Sequence, residues 1–187
     1  VTIHDLSTGK NLLPTPGHER EIQALVYSPD GRRLYSQGGD DTVRSWRLGS
    51  NEELSRIDDH VSAGGGIALS GDGRMLATAG ADHVIRLWDL AEPDRPRRVG
   101  NDLTGHTGAV YSLAFAPNSH TLASTGSDNA VILWNTEDPA NARMLGTPLI
   151  GHTGPVYSVA FSPQGSRMVS AGGDGSIILW DLADPAR

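Results

Sequence analysis

Four stretches of the chain, IQALVYS at 22–28, GGGIALS at 64–70, VYSLAFA at 110–116 and VYSVAFS at 156–162, alternate bulky and small uncharged side chains. A period of two is the signature of a β-strand. Tyr27, Leu69, Phe115 and Phe161 share one register, while Val26, Ala68, Ala114 and Ala160 lie on the other face. Neither face carries charge, so both require cover. Turn-forming residues follow each run, in SPDGRR, SGDGRM, APNSHT and SPQGSR. A short strand comes next, around LYS, LAT, LAS or MVS, then a second tight turn at an aspartate, and a strand ending VRSW, IRLW, VILW or IILW. The connectors supply a more polar fourth strand, as in EELSRI. The pattern predicts four small antiparallel sheets, each with three apolar strands and a polar outer one.

These sheets repeat at fixed spacing. His18, His60, His106 and His152 each stand 28 residues before Trp46, Trp88, Trp134 and Trp180, while the histidines recur at 42, 46 and 46 residues. Length varies only in the connector from each tryptophan to the next histidine, as expected where changes fall in loops. A histidine, a serine and an aspartate within residues 105–134 first suggest a hydrolase triad. The repetition argues otherwise, because a catalytic reading would require four equivalent active sites inside the sheets.

Composition narrows the class further. With 187 residues, 37% of them hydrophobic, the chain is long enough for one ordinary domain core. The 23 glycines and 11 prolines fit a turn-rich all-β protein. The absence of cysteine excludes disulfides and thiolate metal sites. A formal charge of −7 argues against nucleic acid as a general partner. No apolar run approaches the roughly 20 residues of a membrane helix and no signal peptide opens the chain, so a soluble, cytoplasmic protein is expected. His4, His83 and His120, outside the repeat, have no partner at ligand spacing, so no metal or other cofactor is expected. The glycines at 64–66 lack the ending of a phosphate loop and predict a weakened inner strand, making the second sheet the softest. Residues 94–99, DRPRRV, read as a solvated loop and edge strand guarded against aggregation.

A sheet apolar on both faces needs another sheet against each, and radial repetition satisfies that need. With Gly-His near the start of most units and Trp-Asp at 88–89 and 180–181, the chain closely resembles the WD40 repeat family of β-propellers. Trp46-Arg47, Trp134-Asn135 and Asp59-His60 depart from its signature dipeptides. The resemblance implies four-stranded antiparallel blades: residues 1–16 as the end of a preceding blade, then repeats at 17–58, 59–104, 105–150 and 151–187, the last lacking its outer strand. It also implies a buried hydrogen-bonded network in each blade. The sets are His18, Ser36, Asp40 and Trp46; His60, Thr78, Asp82 and Trp88; His106, Ser124, Asp128 and Trp134; and His152, Ser170, Asp174 and Trp180. These groups are structural in this reading, and none is catalytic.

Function then falls to the rim and channel mouth, where the family commonly binds peptides or protein segments. By resemblance, the exposed slots lie three and five residues after each histidine and just before each turn aspartate. They read Glu21, Gln23 and Gly39; Ala63, Gly65 and Ala81; Ala109, Tyr111 and Ser127; and Pro155, Tyr157 and Gly173. Glu21, Gln23, Tyr111, Ser127 and Tyr157 are the candidate partner-binding residues, the two tyrosines foremost, since aromatic side chains with a polar tip are favoured interface anchors. The expected function is a non-catalytic protein-interaction scaffold. The alternatives are a purely structural or oligomerising array and an enzyme with a channel-mouth site, which would need an acid, base or metal cluster outside the repeat slots. The phrasing GHTGAVYSLAF also resembles WD40 arrays of bacterial signalling proteins.

The ends bear on assembly. VTIHDL duplicates IILWDL at 177–182, and the chain opens on valine, so excision from a longer array is expected. An open arc of four blades would leave two apolar faces bare, which a homodimer closing an eight-bladed ring would cover, as would a tight four-bladed ring. In either ring the stretch KNLLPT is the candidate for completing the last blade.

Overall fold

The computed structural model describes residues 6–9, 17–49, 52–58, 65–117 and 120–182. They form four separate antiparallel sheets arranged one after another. The first contains β1 (Ile22–Tyr27), β2 (Arg33–Gly38), β3 (Val43–Arg47) and β4 (Glu52–Ile57). The second contains β5 (Ile67–Leu69), β6 (Met75–Ala79), β7 (Ile85–Asp89) and β8 (Arg97–Leu103). The third has β9 (Val110–Phe115), β10 (Thr121–Gly126) and β11 (Ala130–Asn135), with an outer strand split into β12 (Arg143–Met144) and β13 (Leu149–Ile150). The fourth has β14 (Val156–Phe161), β15 (Arg167–Gly172) and β16 (Ile177–Asp181), with no outer strand among the described residues. KNLLPT, at 10–15, lies outside the described residues, as does His4.

The split in the third outer strand has a local cause. Gly146 takes a left-handed backbone (φ 68°), and Pro148, two residues on, has no N–H to donate, so pairing with β11 breaks and resumes at Leu149.

Register fixes which side chains share a face. In the third blade Phe115, Leu122 and Trp134 stand opposite one another on one face; Ala114, Ala123 and Leu133 stand on the other. The first set faces the second blade, where it meets Ala77, Ala79, Ile85 and Leu87. The second set faces the fourth, against Val159, Met168 and Trp180. The third blade thus presents a leading face with bulky groups and a trailing face carrying small ones in its inner strands, and the facing sets pack together. Between the first two blades Tyr35, Val43 and Ile57 meet Ile67, Leu76 and Trp88 in the same manner. The innermost strands β1, β5, β9 and β14 are neighbours in that order.

As expected of an open arc of four blades, two apolar faces lie bare. On the trailing face of the fourth blade Ile177 is 77% exposed and Leu179 60%, with Ala160 and Val169 also open. On the leading face of the first blade Leu25 is 55% exposed and Tyr27 61%, although Leu34 and Trp46 beside them are buried. Alternation records that a residue sits on an apolar face, not which neighbour that face has.

The glycine stretch precedes a shortened inner strand, as expected, and has a packing role besides. The inner strand of the second blade is only three residues long, and Gly65 and Gly66 before it are buried rather than loose. A Cβ on Gly65 would lie 1.5 Å from the Ala79 carbonyl oxygen, and one on Gly66 would lie 2.8 Å from the Leu113 nitrogen. Glycine here permits close backbone approach within the blade and to the next one.

Candidate functional site: blade networks and the rim

Each blade network starts from the turn before β3, β7, β11 or β16. In the first blade Asp40 accepts from the Glu19 amide at 2.9 Å and pairs with His18 Nδ1 at 2.8 Å. His18 Nε2 lies 2.6 Å from Ser36 Oγ, which accepts from Trp46 Nε1 at 2.8 Å. The third blade repeats this geometry: His106 Nδ1 to Asp128 at 2.9 Å, His106 Nε2 to Ser124 at 2.7 Å and Trp134 to Ser124 at 2.8 Å. So does the fourth, with His152 to Asp174 at 3.0 Å, His152 to Ser170 at 2.8 Å and Trp180 to Ser170 at 2.9 Å. The second blade brings together Trp88 and Thr78 at 2.8 Å; His60 lies outside the described residues.

The protons run one way along this chain. The indole donates to the hydroxyl, the hydroxyl to Nε2, and Nδ1–H to the carboxylate, so each buried group is satisfied once. The hydroxyl of Ser36, Ser124 or Ser170 is buried and already holds two partners, leaving no approach for a substrate and no idle base. Burial opposes ionisation of Asp40, yet the bonds from the Glu19 amide, His18 and Thr42 hold its pKa well below the usual carboxylate range. Asp174 is held low by the Ser176 hydroxyl, then by the Ser176 and Thr153 amides. Burial pushes the His106 pKa down, against the pull of Asp128.

Two arginines join these networks without a signal from the repeat. Arg44 and Arg86 stand two residues before Trp46 and Trp88, where the other blades have Ile132 and Ile178. Arg44 bridges Asp40 at 3.3 Å and Glu53 at 3.0 Å; Arg86 bridges Asp82 at 2.5 Å and Asp102 at 3.6 Å. Each ties a turn to its own outer strand. Within DRPRRV, Arg97 pairs with Glu92 at 3.4 Å and Arg98 with Asp102, while Asp94 reaches the first blade to accept from Arg33 at 2.8 Å and Arg47 at 3.3 Å. Among the described residues no group of three or more His, Cys, Asp or Glu could hold a metal ion, and no helix is long and apolar enough to cross a membrane.

On the rim, a backbone bond joins the slots in pairs. The Gly39 amide donates to the Glu21 carbonyl at 2.7 Å, Ser127 to Ala109 at 2.8 Å and Gly173 to Pro155 at 2.7 Å. Glu21 is exposed with its carboxylate lying over Gly39, and Gln23 is exposed in β1. Gly65 is buried and Ala81 half-buried, so the second blade offers little there; Ala63 lies outside the described residues. Tyr111 in β9 and Tyr157 in β14, on adjacent blades, come together with ring centroids 5.7 Å apart and a tilt of 31°. Tyr157 is 57% exposed. Its ring crosses Gly173, where a Cβ would sit 3.1 Å from it, and Ser127 is half-buried on the neighbouring turn. This pairing of two tyrosines across a blade boundary cannot be read from either repeat alone.

Comparison with known proteins also finds four repeats, the later three beginning at the outer strand of the preceding sheet. The family model for the WD domain, G-beta repeat, matches residues 9–47, 52–89, 97–135 and 143–181. Minichromosome loss protein 1 of Schizosaccharomyces pombe is 34% identical over 61 residues, 33% of this chain and 8% of that protein. The solved structure of U3-55K superposes with a TM-score of 0.78 at 29% identity, over 90% of this chain and 51% of that one. The structure of the RRP9 WD40 repeats gives 0.76 at 30% identity, over 88% and 49%. The chain therefore spans about half the length of these solved relatives.

Proposed function

The chain belongs to the WD40 repeat family, and from that premise we propose that it is a non-catalytic scaffold that holds a peptide or protein segment on its rim, with Tyr111 and Tyr157 as the anchors. The observation that carries this reading is the tyrosine pair itself. Two aromatic rings stack at the mouth of a blade boundary, one more than half exposed, each able to offer its hydroxyl to a passing backbone while its ring covers apolar surface. Ser127 lies on the neighbouring turn and Gly173 lets the Tyr157 ring lie close against the backbone, while Glu21 and Gln23 stand exposed on the first blade. The family is generally non-catalytic, and the buried hydroxyls are committed to the blade networks. The double variant Tyr111→Ala, Tyr157→Ala should lose specific capture of partner protein in a pull-down while unfolding at the same denaturant concentration, since truncating an interface anchor typically costs about 2 kcal/mol. Capture that survives the double substitution overturns the reading.

A second reading, pairing of two chains, is favoured by the bare trailing face of the fourth blade. Ile177 and Leu179 stand where Val131 and Leu133 stand in the third blade, and those are covered by a neighbour. Two chains joined trailing face to leading face make a ring of eight blades. Light scattering should then give twice the chain mass, and Leu179→Glu should halve it; a single-chain mass for the unmodified protein rejects pairing.

A further inference from the structure

Between the first and second blades, at the edge where β1 and β5 end in turns, lies a cleft of about 310 Å³. This is the lower end of the size range of ligand pockets. It is built where the repeats depart from one another. At the register positions where the second and third blades have Ala77 and Ala123, the first has Tyr35; where they have Met75 and Thr121, it has Arg33. Both side chains line the cleft.

They bring two donors, one of them a buried N–H that the protein leaves without an acceptor. The Arg33 guanidinium gives one Nη2–H to Asp94, but its Nε–H is buried with no hydrogen-bond partner among the described residues. Tyr35 is only 2% exposed, and no described residue accepts from its phenol. Burial raises the phenol's pKa, so it remains an O–H donor at neutral pH. A buried donor without an acceptor is costly to leave unmade, and Arg33 Nε–H beside the Tyr35 phenol marks where a ligand oxygen would be stabilised.

The rest of the lining selects the kind of oxygen. Arg33 and Arg74 are balanced by Asp30 and Asp72, so a free anion finds no net positive field. Each aspartate already accepts twice within its own turn, Asp30 from Ser28 and the Arg32 amide, Asp72 from Ser70 and the Arg74 amide, which leaves little for a free cation. Pro29, Pro93, Leu90 and Ala91 complete apolar walls. We propose that this cleft binds a short extended peptide segment, holding one main-chain carbonyl between Arg33 Nε–H and the Tyr35 hydroxyl. The site lies at the opposite strand ends from the tyrosine pair and stands independently of the rim reading.

The test is a heteronuclear NMR titration of the full chain with N-acetylalanine N-methylamide, with acetate and methylammonium as separate probes. Saturable shifts at Gly73, Ala91 and the Arg33 Nε–H are expected with the neutral amide and not with either ion. Tyr35→Phe, which keeps the ring and its packing, should weaken amide binding about threefold to tenfold, the worth of one hydrogen bond. Arg33→Lys, which keeps the charge toward Asp94 and removes Nε–H, should do the same, and it carries the test alone if Tyr35→Phe fails to unfold cooperatively. Shifts that do not saturate, equal or stronger shifts with acetate or methylammonium, or amide binding unchanged in the folded variants would each overturn the proposal.

Discussion

The third and fourth blades carry the same four network residues at nearly the same distances, yet they differ in what lies beyond them. Trp134 is buried and donates to Ser124 at 2.8 Å; Trp180 is half-buried and donates to Ser170 at 2.9 Å. Val131 on β11 is buried by the next blade, whereas Ile177, its counterpart on β16, is 77% exposed. The geometry inside a blade is therefore set by local bonds between its own strands. Burial of its faces is set by neighbours. A network fixes register without needing the cover that makes a blade stable.

Substitutions can separate these two contributions. The largest effect should come from packing: Leu122→Ala, at a fully buried position facing the second blade, is expected to cost about 2 to 5 kcal/mol, while Leu179→Ala on the bare face should cost well under 1 kcal/mol. Urea unfolding of both variants measures the difference, and equal costs would mean that the fourth blade's outer face is covered in solution. Next is Gly65→Ala. Its new methyl would meet the Ala79 carbonyl, so a loss of about 1 to 3 kcal/mol is expected by thermal unfolding, against a gain if the glycine were merely a flexible link.

A smaller effect is expected from the networks under acid. The His106 pKa is lower in the folded protein than in the unfolded chain, so this group's stabilisation is complete above pH about 6.5 and declines as pH falls below it. Asp40 and Asp174 also have lowered pKa values, so their share is complete above the ordinary carboxylate range and is lost as pH falls through and below it. Unfolding midpoints measured from pH 7 to pH 3 should fall in two stages. In His106→Gln the first stage should be smaller, and an unchanged first stage would assign it to other histidines.

Much of this fold is written plainly in the chain. The 28-residue interval from histidine to tryptophan marks each sheet, and EELSRI coincides with β4. The offsets of serine and aspartate within that interval place the serine on the second strand and the aspartate in the turn that follows it, because register in an antiparallel sheet follows from turn length. What the chain conceals is long-range. Tyr27 and Phe115 occupy the same register, yet one lies open and the other packs against a core, because the third blade has another blade on its leading face and the first does not. Glycines that read as weakness do precede a short strand, but they also mark close backbone approach, which the chain does not announce. Asp94, read as part of a solvated loop, clamps two arginines of the blade before it, a contact between residues 61 and 47 positions apart that no periodicity reports. The rim slots were locatable by offset from each histidine, but the contact of Tyr111 with Tyr157 depends on the angle between blades.

The account turns on the claim that hydroxyl and indole act together as a structural lock, and a double-mutant cycle on Ser124 and Trp134 tests it most directly. Ser124→Ala strands both the Trp134 N–H and His106 Nε2, at about 1 to 3 kcal/mol for each buried group. Once Trp134→Phe has removed the indole donor, Ser124→Ala should cost about 1 kcal/mol less than it does alone. Costs that simply add, or a Ser124→Ala variant as stable as the parent, would contradict the lock.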